Sequence, residues 1–358
     1  MKFYTTTYHS DLIKDTNRLS AFLEGIIEVS NTFNNFKNID KNNKINENIN
    51  ENEDKNNENN IFNLKNKINF EKKKNSRIAL DIGCGSGVLS YFASKCFDSV
   101  LGIDIDEKII NYAKKSFFNA EIENVSFIND DASSYDFSKL FNVSNLDNDS
   151  IFEKFTDLII CEMLDTALIN EEEIPVLNNI QKYLKNKDNV KILPKGIINV
   201  AEPVFMEKDY INYEDEEFHG NKPQYEILGG PVKYLELNFL DNIDPAVETV
   251  INFNLNDFSS NVNTDNFDNN MNKDLKSHFN GIKITTFTLI TDNILCGPTP
   301  MFNPPLFVPV PNINTVNETN NSNSNYIKNE KKHEKNISLK LEYLMGGGVE
   351  TIKTKIIN

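Results

Sequence analysis

The chain has 358 residues, enough for two domains or for one large domain with insertions. Its apolar content of 39% is ordinary for a globular protein, and the formal net charge of −16 disfavours nonspecific attraction to a nucleic-acid backbone, which needs clustered Lys and Arg. The four cysteines, Cys84, Cys96, Cys161 and Cys296, form no CxxC pair, so neither a disulfide framework nor a zinc site is expected, and no metal ligand set is read.

The amino terminus, MKFYTTTYHSDLIKD, has no apolar core of the kind a signal peptide carries. No apolar run approaches the length that spans a bilayer. The expectation is a cytoplasmic protein with no membrane partner. The acidic total favours a cationic partner.

Residues 1–33 read as a helical segment. An insertion at 34–75 follows, dominated by Asn, Lys and Glu, with fourteen asparagines between Asn31 and Asn60. It holds too little apolar surface to offset its ordering entropy and is expected to be disordered. Two further Asn-rich insertions are expected near 256–276 and 312–336.

Between 76 and 198 the pattern is strand and helix in alternation. RIALDI (Arg77–Ile82) is a strand, followed by a helix from Gly87 to Cys96 and a second strand, SVLGID (Ser99–Asp104). Glu107–Phe118 has helical spacing, with Ile109, Ile110, Ala113 and Phe117 on one face. Strands at Val125–Ile128 and Thr156–Cys161, a helix from about Glu172 to Leu184, and a strand at Asn189–Pro194 complete the series. Such alternation implies an α/β domain with a parallel sheet. From 199 to 358 the strand-like runs INVAEPVF, VKYLELNF, VETVINFNL, GIKITTFTLI and ISLKLEYLM have period-two character and few helices between them. A second, mostly antiparallel, barrel-like β domain is expected there.

The segment DIGCGSG, Asp81 to Gly87, lies where a strand ends and a helix begins. Its glycines permit a sharp turn and a close approach of ligand to main chain, and the helix start offers free N–H groups. Gly83, Gly85 and Gly87 are spaced GxGxG, whereas dinucleotide folds use GxGxxG. Alone, such a turn is as consistent with a plain strand–helix connection as with a nucleotide site. Asp104 ends the second strand, where a carboxylate can accept both hydroxyls of a ribose, with Ile105 beside it. Asp131 and Ala132 follow the third strand, where a side-chain oxygen and a backbone N–H can hold an adenine. Each acid singly is equally a helix cap or a loop residue, but the three elements in this order point to one ligand.

On these residues Arg77–Asp136 resembles the Rossmann-like class I S-adenosylmethionine methyltransferases. The wider chain is similar to protein arginine methyltransferases and their archaeal relatives described as predicted RNA methylases. HSDLIKDTNRLSAF (His9–Phe22) resembles the family's amino-terminal helix, with Asp15 and Arg18 in an Asp-x-x-Arg pattern. CEMLDTALINEEE (Cys161–Glu173) resembles its two-glutamate loop, with Glu162 and Glu171 nine positions apart.

The resemblance implies S-adenosylmethionine as cofactor, held by Arg18, Asp81, Gly83, Cys84, Gly85, Gly87, Asp104, Ile105, Asp131, Ala132 and Glu162, under an amino-terminal helical lid. Arg18 would pair with the cofactor carboxylate. Glu162 and Glu171 would be catalytic, clamping a guanidinium so that one nitrogen faces the methyl group. The implied acceptor is a cationic nitrogen such as protein arginine, with RNA as the alternative and a noncatalytic, cofactor-binding interaction module as a third reading. A homodimer is also implied, with Glu207–Lys222 as a shortened arm.

Three features depart from the family pattern. Phe22 stands where the family has tyrosine, the chain has no Trp for a Thr-His-Trp turn, and Leu164–Asp165–Thr166 replaces Met-Gly-Tyr. Asp165 adds an acid that reads most simply as a helix cap. Asn303–Pro304–Pro305–Leu306 resembles the (D/N)PPY signature of adenine amino-methylases, but its position in the β domain favours a rigid turn. Gly346–Gly347–Gly348 suits a tight bend or a ligand approach.

Overall fold

The computed structural model describes residues 1–43, 76–140, 156–214, 224–255, 278–299, 301–311 and 336–357. Its backbone divides into two compact units, Met1–Glu162 with Val176–Lys195, and Met163–Pro175 with Gly196–Asn358. The sequence placed the start of the β domain at 199 and left 163–175 in the cofactor domain. In the structure the division falls at Lys195/Gly196, and the loop after Glu162 clusters with the β unit.

The first unit opens with α1 (Thr7–Lys14) and α2 (Thr16–Asn43). Thr6 caps α1 by accepting from the His9 N–H, and Asp15 does the same for α2, its Oδ1 accepting from the Arg18 N–H at 3.1 Å. Helix α2 runs on to Asn43, into the segment expected as an insertion, because a nucleated helix propagates through residues of middling propensity. The remainder of that insertion lies outside the described residues, as do 256–276 and all but the last residue of 312–336.

A parallel sheet follows from β1 (Ile78–Ile82), β2 (Ser99–Asp104), β3 (Val125–Asn129), β4 (Leu158–Cys161) and β5 (Lys191–Leu193), in the order β3-β2-β1-β4-β5. Helices α3 (Val88–Ala93), α4 (Glu107–Asn119) and α5 (Glu173–Gln181) connect or flank these strands. Every residue of β1 and β4 is buried, as a sheet covered on both faces requires. The apolar face of α4 buries Ile109, Ile110, Ala113 and Phe117, the four residues expected from its spacing. Phe117 meets Phe127 of β3 edge to face, with centroids 4.9 Å apart. The strand order reverses direction between β1 and β4. In an open α/β sheet that switch point, at the carboxyl ends of the strands, is where ligands bind.

The second unit is antiparallel. It contains β6 (Gly196–Met206), β7 (Asn212–Tyr213), β8 (Tyr225–Ile227), β9 (Val232–Asn238), β10 (Ala246–Asn254), β11 (Gly281–Leu289), β12 (Leu295–Cys296), β13 (Leu306–Pro309), β14 (Asn336–Leu344) and β15 (Lys353–Ile356). One sheet runs β7-β13-β11-β6-β8, with β9 also on β6 and β12 on β11, and a smaller sheet runs β10-β14-β15. Pro203 sits inside β6 where the partner changes from β9, which ends its pairing at Ala201, to β8, which begins at Val204. A residue with no N–H is tolerated at such a gap. No described helix is long and apolar enough to cross a membrane.

Candidate functional site

The glycine turn leaves β1 at the switch point with Gly83, Gly85 and Gly87 all at positive φ, of 70°, 51° and 80°. Only glycine takes that backbone without steric cost. The turn is tied to the end of β2: the N–H groups of Gly83 and Cys84 both donate to the Ile103 carbonyl, at 2.9 and 3.0 Å. Helix α3 is shorter than expected, Val88–Ala93 rather than Gly87–Cys96, and its chain leaves in turns whose N–H groups at Lys95 and Cys96 reach back to Phe92 and Ala93. A helix this short adds little dipole, so the turn's own backbone is the principal feature.

Carboxylates stand around that turn. Asp104 accepts from the Gly85 N–H through Oδ2 at 2.8 Å and from the Asp106 N–H through Oδ1 at 2.9 Å. Asn129 of β3 donates to the carbonyls of Asp104 and Ile105, which fixes the strand end while leaving the Ile105 side chain 69% exposed. Asp81 is fully enclosed and accepts from Ser90 Oγ at 2.5 Å. Burial pushes its carboxyl up to about 7, Ser90 offsets that in part, and the charges of Glu162 and Asp104 add to the rise. Cys84 is buried, and the same desolvation raises its thiol well above the ordinary value, so it is an inert wall rather than a nucleophile.

Asp131 accepts from the N–H and Oγ of Ser133, at 2.8 and 2.7 Å, and from Ser134 Oγ at 3.0 Å. These bonds hold its carboxyl below the ordinary range. Asp131 thus organises its own turn, and Ala132 is fixed beside it through its carbonyl, which accepts from Asn179 at 2.9 Å.

Arg18 and Glu162 are brought together although 144 positions separate them. Nε of Arg18 donates to Oε1 of Glu162 at 3.1 Å, Nη2 donates to Oε2, and Nη1 reaches the Leu12 carbonyl at 3.3 Å. Burial works against the Arg18 charge, but Glu162 outweighs it and the guanidinium is held above its ordinary value. Within the chain itself the partner of Arg18 is a protein carboxylate, Glu162. Both oxygens of Glu162 receive a guanidinium.

His9 was not expected at the site. Its ring lies against the glycine turn, so that a Cβ built on Gly85 would stand 2.9 Å from Cδ2 of His9. Thr6 Oγ1 meets Nδ1 at 2.7 Å, and burial lowers the imidazole against the opposing pull of Asp104 and Asp106. A single His in a helix with no patterned neighbour offers no sequence signal.

In the second unit, the loop after Glu162 is held by bonds on several sides. Thr166 Oγ1 donates to the Pro304 carbonyl at 2.6 Å, and the Ala167 N–H donates to Thr286 Oγ1 at 2.8 Å. The N–H groups of Gly346 and Gly348 donate to Leu168 and Ile169. The NPPL segment is a rigid turn, with Asn303 at positive φ and bonded to Thr288, and the glycine triplet is a bend that pairs with this loop. Asp165 makes no cap bond to its helical turn. Its Oδ2 instead accepts from the N–H and Nδ2 of Asn170, and Asn170 also donates to Tyr213 Oη at 2.8 Å. Burial raises the Asp165 carboxyl.

Glu171 is half-buried in this loop, whereas Glu173 is fully buried and accepts from the Met163 N–H at 2.9 Å. Three consecutive glutamates give no sequence cue to which one turns inward. Of the arm expected at Glu207–Lys222, residues 215–222 lie outside the described residues. No group of metal-ligating side chains occurs among the described residues.

The methyltransferase-domain family matches residues 79–187, which take in β1 from Ala79 through β4 and stop short of β5. An uncharacterized protein of Methanothermobacter thermautotrophicus is 30% identical over 358 residues, covering all of both chains. A ribosomal protein L11 methyltransferase of Thermosipho africanus is 37% identical over 135 residues, 37% of this chain and 43% of that one. Among solved structures, the Trypanosoma brucei PRMT1 enzyme–prozyme heterotetrameric complex with AdoHcy aligns with a TM-score of 0.54 and 12% identity, covering 98% of this chain and 96% of that one. The chain belongs to the class I S-adenosylmethionine-dependent methyltransferases. It is an enzyme of that class, with S-adenosylmethionine as its cofactor and a methyl acceptor as its partner.

Proposed function

We propose that the enzyme methylates a cationic nitrogen, with protein arginine as the type case. The observation that carries this reading is Glu162, whose two oxygens receive the guanidinium of the chain's own Arg18 through Nε and Nη2. The pair orients a carboxylate of the kind that binds a guanidinium bidentately, on a side chain directly after β4 at the switch point. The fold likeness to the PRMT1 complex agrees with it.

The cofactor supplies an electrophilic methyl group on a sulfonium. Its cationic and hydroxyl-bearing parts fit a set of acceptor carboxylates on a backbone held open by three positive-φ glycines. In this reading Gly83, Cys84, Gly85 and Gly87 supply the close main-chain approach, with Asp81 beneath them. Asp104, already oriented by Gly85 and Asp106, serves the ribose hydroxyls, with Ile105 as an apolar wall. Asp131 and Ala132 hold the adenine. Arg18 serves the carboxylate end from the same guanidinium that orients Glu162. Glu162 binds the acceptor and localises its charge on the nitrogens it touches, which leaves another nitrogen for in-line attack, and Glu171 is the second carboxylate that the family likeness proposes for this step.

Incubation with methyl-labelled cofactor, protein extract and total RNA tests the reading. Label is expected in protein, at arginine after acid hydrolysis. Label in RNA alone would overturn the acceptor class, and label in neither would favour the noncatalytic module.

A further inference from the structure

The face of β6 and β11 that carries Val200, Glu202, Lys283, Thr285 and Phe287 forms the floor of a cavity of about 480 Å³ in the second unit. The register explains why these side chains converge. Glu202 stands opposite Lys283 and Val200 opposite Thr285, and alternate residues of a strand share a face. Pro231, Pro298 and Pro305 add apolar walls.

The charges on this floor do not balance. Lys283 is committed: its Nζ donates to Tyr225 Oη at 3.0 Å, lies 3.3 Å from Glu214, and sits over the Tyr225 ring at 5.0 Å. Burial opposes its charge, but Tyr225 and Glu214 outweigh that and hold the ammonium above its ordinary value. Glu202 is only partly compensated. Its carboxylate is half-buried in the cavity and makes no hydrogen bond or ion pair among the described residues. Burial holds it above its ordinary value, the charge of Lys283 opposite it offsets that in part, and Glu214 adds to the rise. Two carboxylates and one ammonium therefore line a recess whose remaining walls are apolar apart from Thr285 and Thr299. A half-buried carboxylate with apolar space beside it is satisfied by a cation whose body is aliphatic.

We propose that this cavity binds a single aliphatic cation, a guanidinium or ammonium on an alkyl stem, with Glu202 as its counter-charge. The stem lies against Val200, Phe287 and the prolines. Lys283 keeps Glu214 neutralised, so that one positive charge, and not two, completes the site. The inference does not depend on the acceptor of the methyl group, because it concerns binding alone.

Calorimetric titration of the full chain without cofactor tests it, using n-butylguanidinium, its neutral isostere n-butylurea, and the peptide Gly-Arg-Gly. The cation is expected to bind in the millimolar range or tighter, and Glu202→Gln to weaken it about tenfold or more, as loss of a charge-assisted bond does. Val200→Lys, which places a tethered ammonium two residues along the same face, should block the site while the melting temperature shows the fold intact. Loss in Glu202→Gln of both the free cation and the peptide supports the shared chemistry, and binding by the wild type of the peptide but not the free cation, lost in Glu202→Gln, assigns the site to a peptide-borne side chain. Equal binding of n-butylurea, unchanged affinity in both variants, or no binding of either cation up to about 10 mM overturns the proposal.

Discussion

Two of the regions where the chain takes left-handed backbone are built by opposite means. In the turn after β1 the three positive-φ residues Gly83, Gly85 and Gly87 are glycines, and the conformation is intrinsic to the sequence. In the loop after Glu162 the left-handed residues are Ala167 and Leu168, with φ of 60° and 57°, both fully buried. Each costs about 1–2 kcal/mol that glycine would not. Thr286, Pro304, Gly346 and Gly348 hold that loop from outside. The first region stands on its own residues. The second exists only because its surroundings over-determine it, which is how strained loops persist at functional sites.

The largest effect should come from the carboxylates around the first region. Glu162→Gln leaves the Arg18 guanidinium, whose side chain is 4% exposed, without its counter-charge. Unfolding by urea should show a loss of about 3–5 kcal/mol, and Arg18→Met combined with Glu162→Leu should recover much of it. Methyl transfer should fail in Glu162→Gln under the proposed function. A single variant as stable as the wild type would show that the pair contributes nothing to the fold.

Asp81 should give a pH signature nearly as large. Its folded value of about 7 lies above the ordinary value of 3.8, so the folded state binds a proton that the unfolded state releases. Its contribution is complete below about 3.8 and is lost as pH rises through about 7, roughly 4 kcal/mol in all. Asp81→Asn should flatten the fall in unfolding free energy between pH 4 and 7. An undiminished slope in that variant would place the titrating group elsewhere.

Gly85→Ala addresses the comparison directly. The new Cβ faces both the left-handed φ of 51° and the His9 ring at 2.9 Å. A loss of about 2–3 kcal/mol is expected, with weaker cofactor binding in equilibrium dialysis. Adding His9→Ala should restore the steric share alone. Full restoration would mean that φ is not limiting there.

The same contrast explains what could be read in the sequence. The parallel domain was legible because its signals are local: the apolar face of α4, the fully buried runs of β1 and β4, and a turn whose glycines declare their own backbone. Asp104 beside Gly85 follows from strand order alone. The loop of the second unit gave no such cue, because nothing in Thr166–Ala167–Leu168 announces a left-handed pair, and Thr286 and Gly346 lie far along the chain. The Arg18–Glu162 pair was half legible. Each residue was assigned a partner from the family likeness, but not the other, since a contact across 144 positions leaves no periodicity. Strands β7, β8, β12, β13 and β15 escaped for a related reason: each is two to four residues long, too short to show alternation.

Thr286→Val tests the outside support of the second loop. It leaves the buried Ala167 N–H without its acceptor and also breaks the bond from Thr286 to Asn199, and about 1–3 kcal/mol should be lost. A loss within experimental error would mean that the loop is held without Thr286.

The smallest effect carries the sharpest sign. Ala167 and Ala79 of β1 are equally enclosed, each at 0% exposure, so area alone predicts the same cost for replacing either with glycine. Backbone geometry predicts otherwise. At Ala79, in a regular strand, glycine adds chain entropy and removes a buried methyl, which costs about 1–2 kcal/mol. At Ala167 the same two terms are offset by relief of the left-handed φ, about 1–2 kcal/mol, and the net change should lie within about 0.5 kcal/mol of zero. Paired urea titrations of the two variants measure the difference. Equal losses at both positions would show that the φ of 60° at Ala167 carries no strain, and the distinction between a self-standing turn and a supported one would fail.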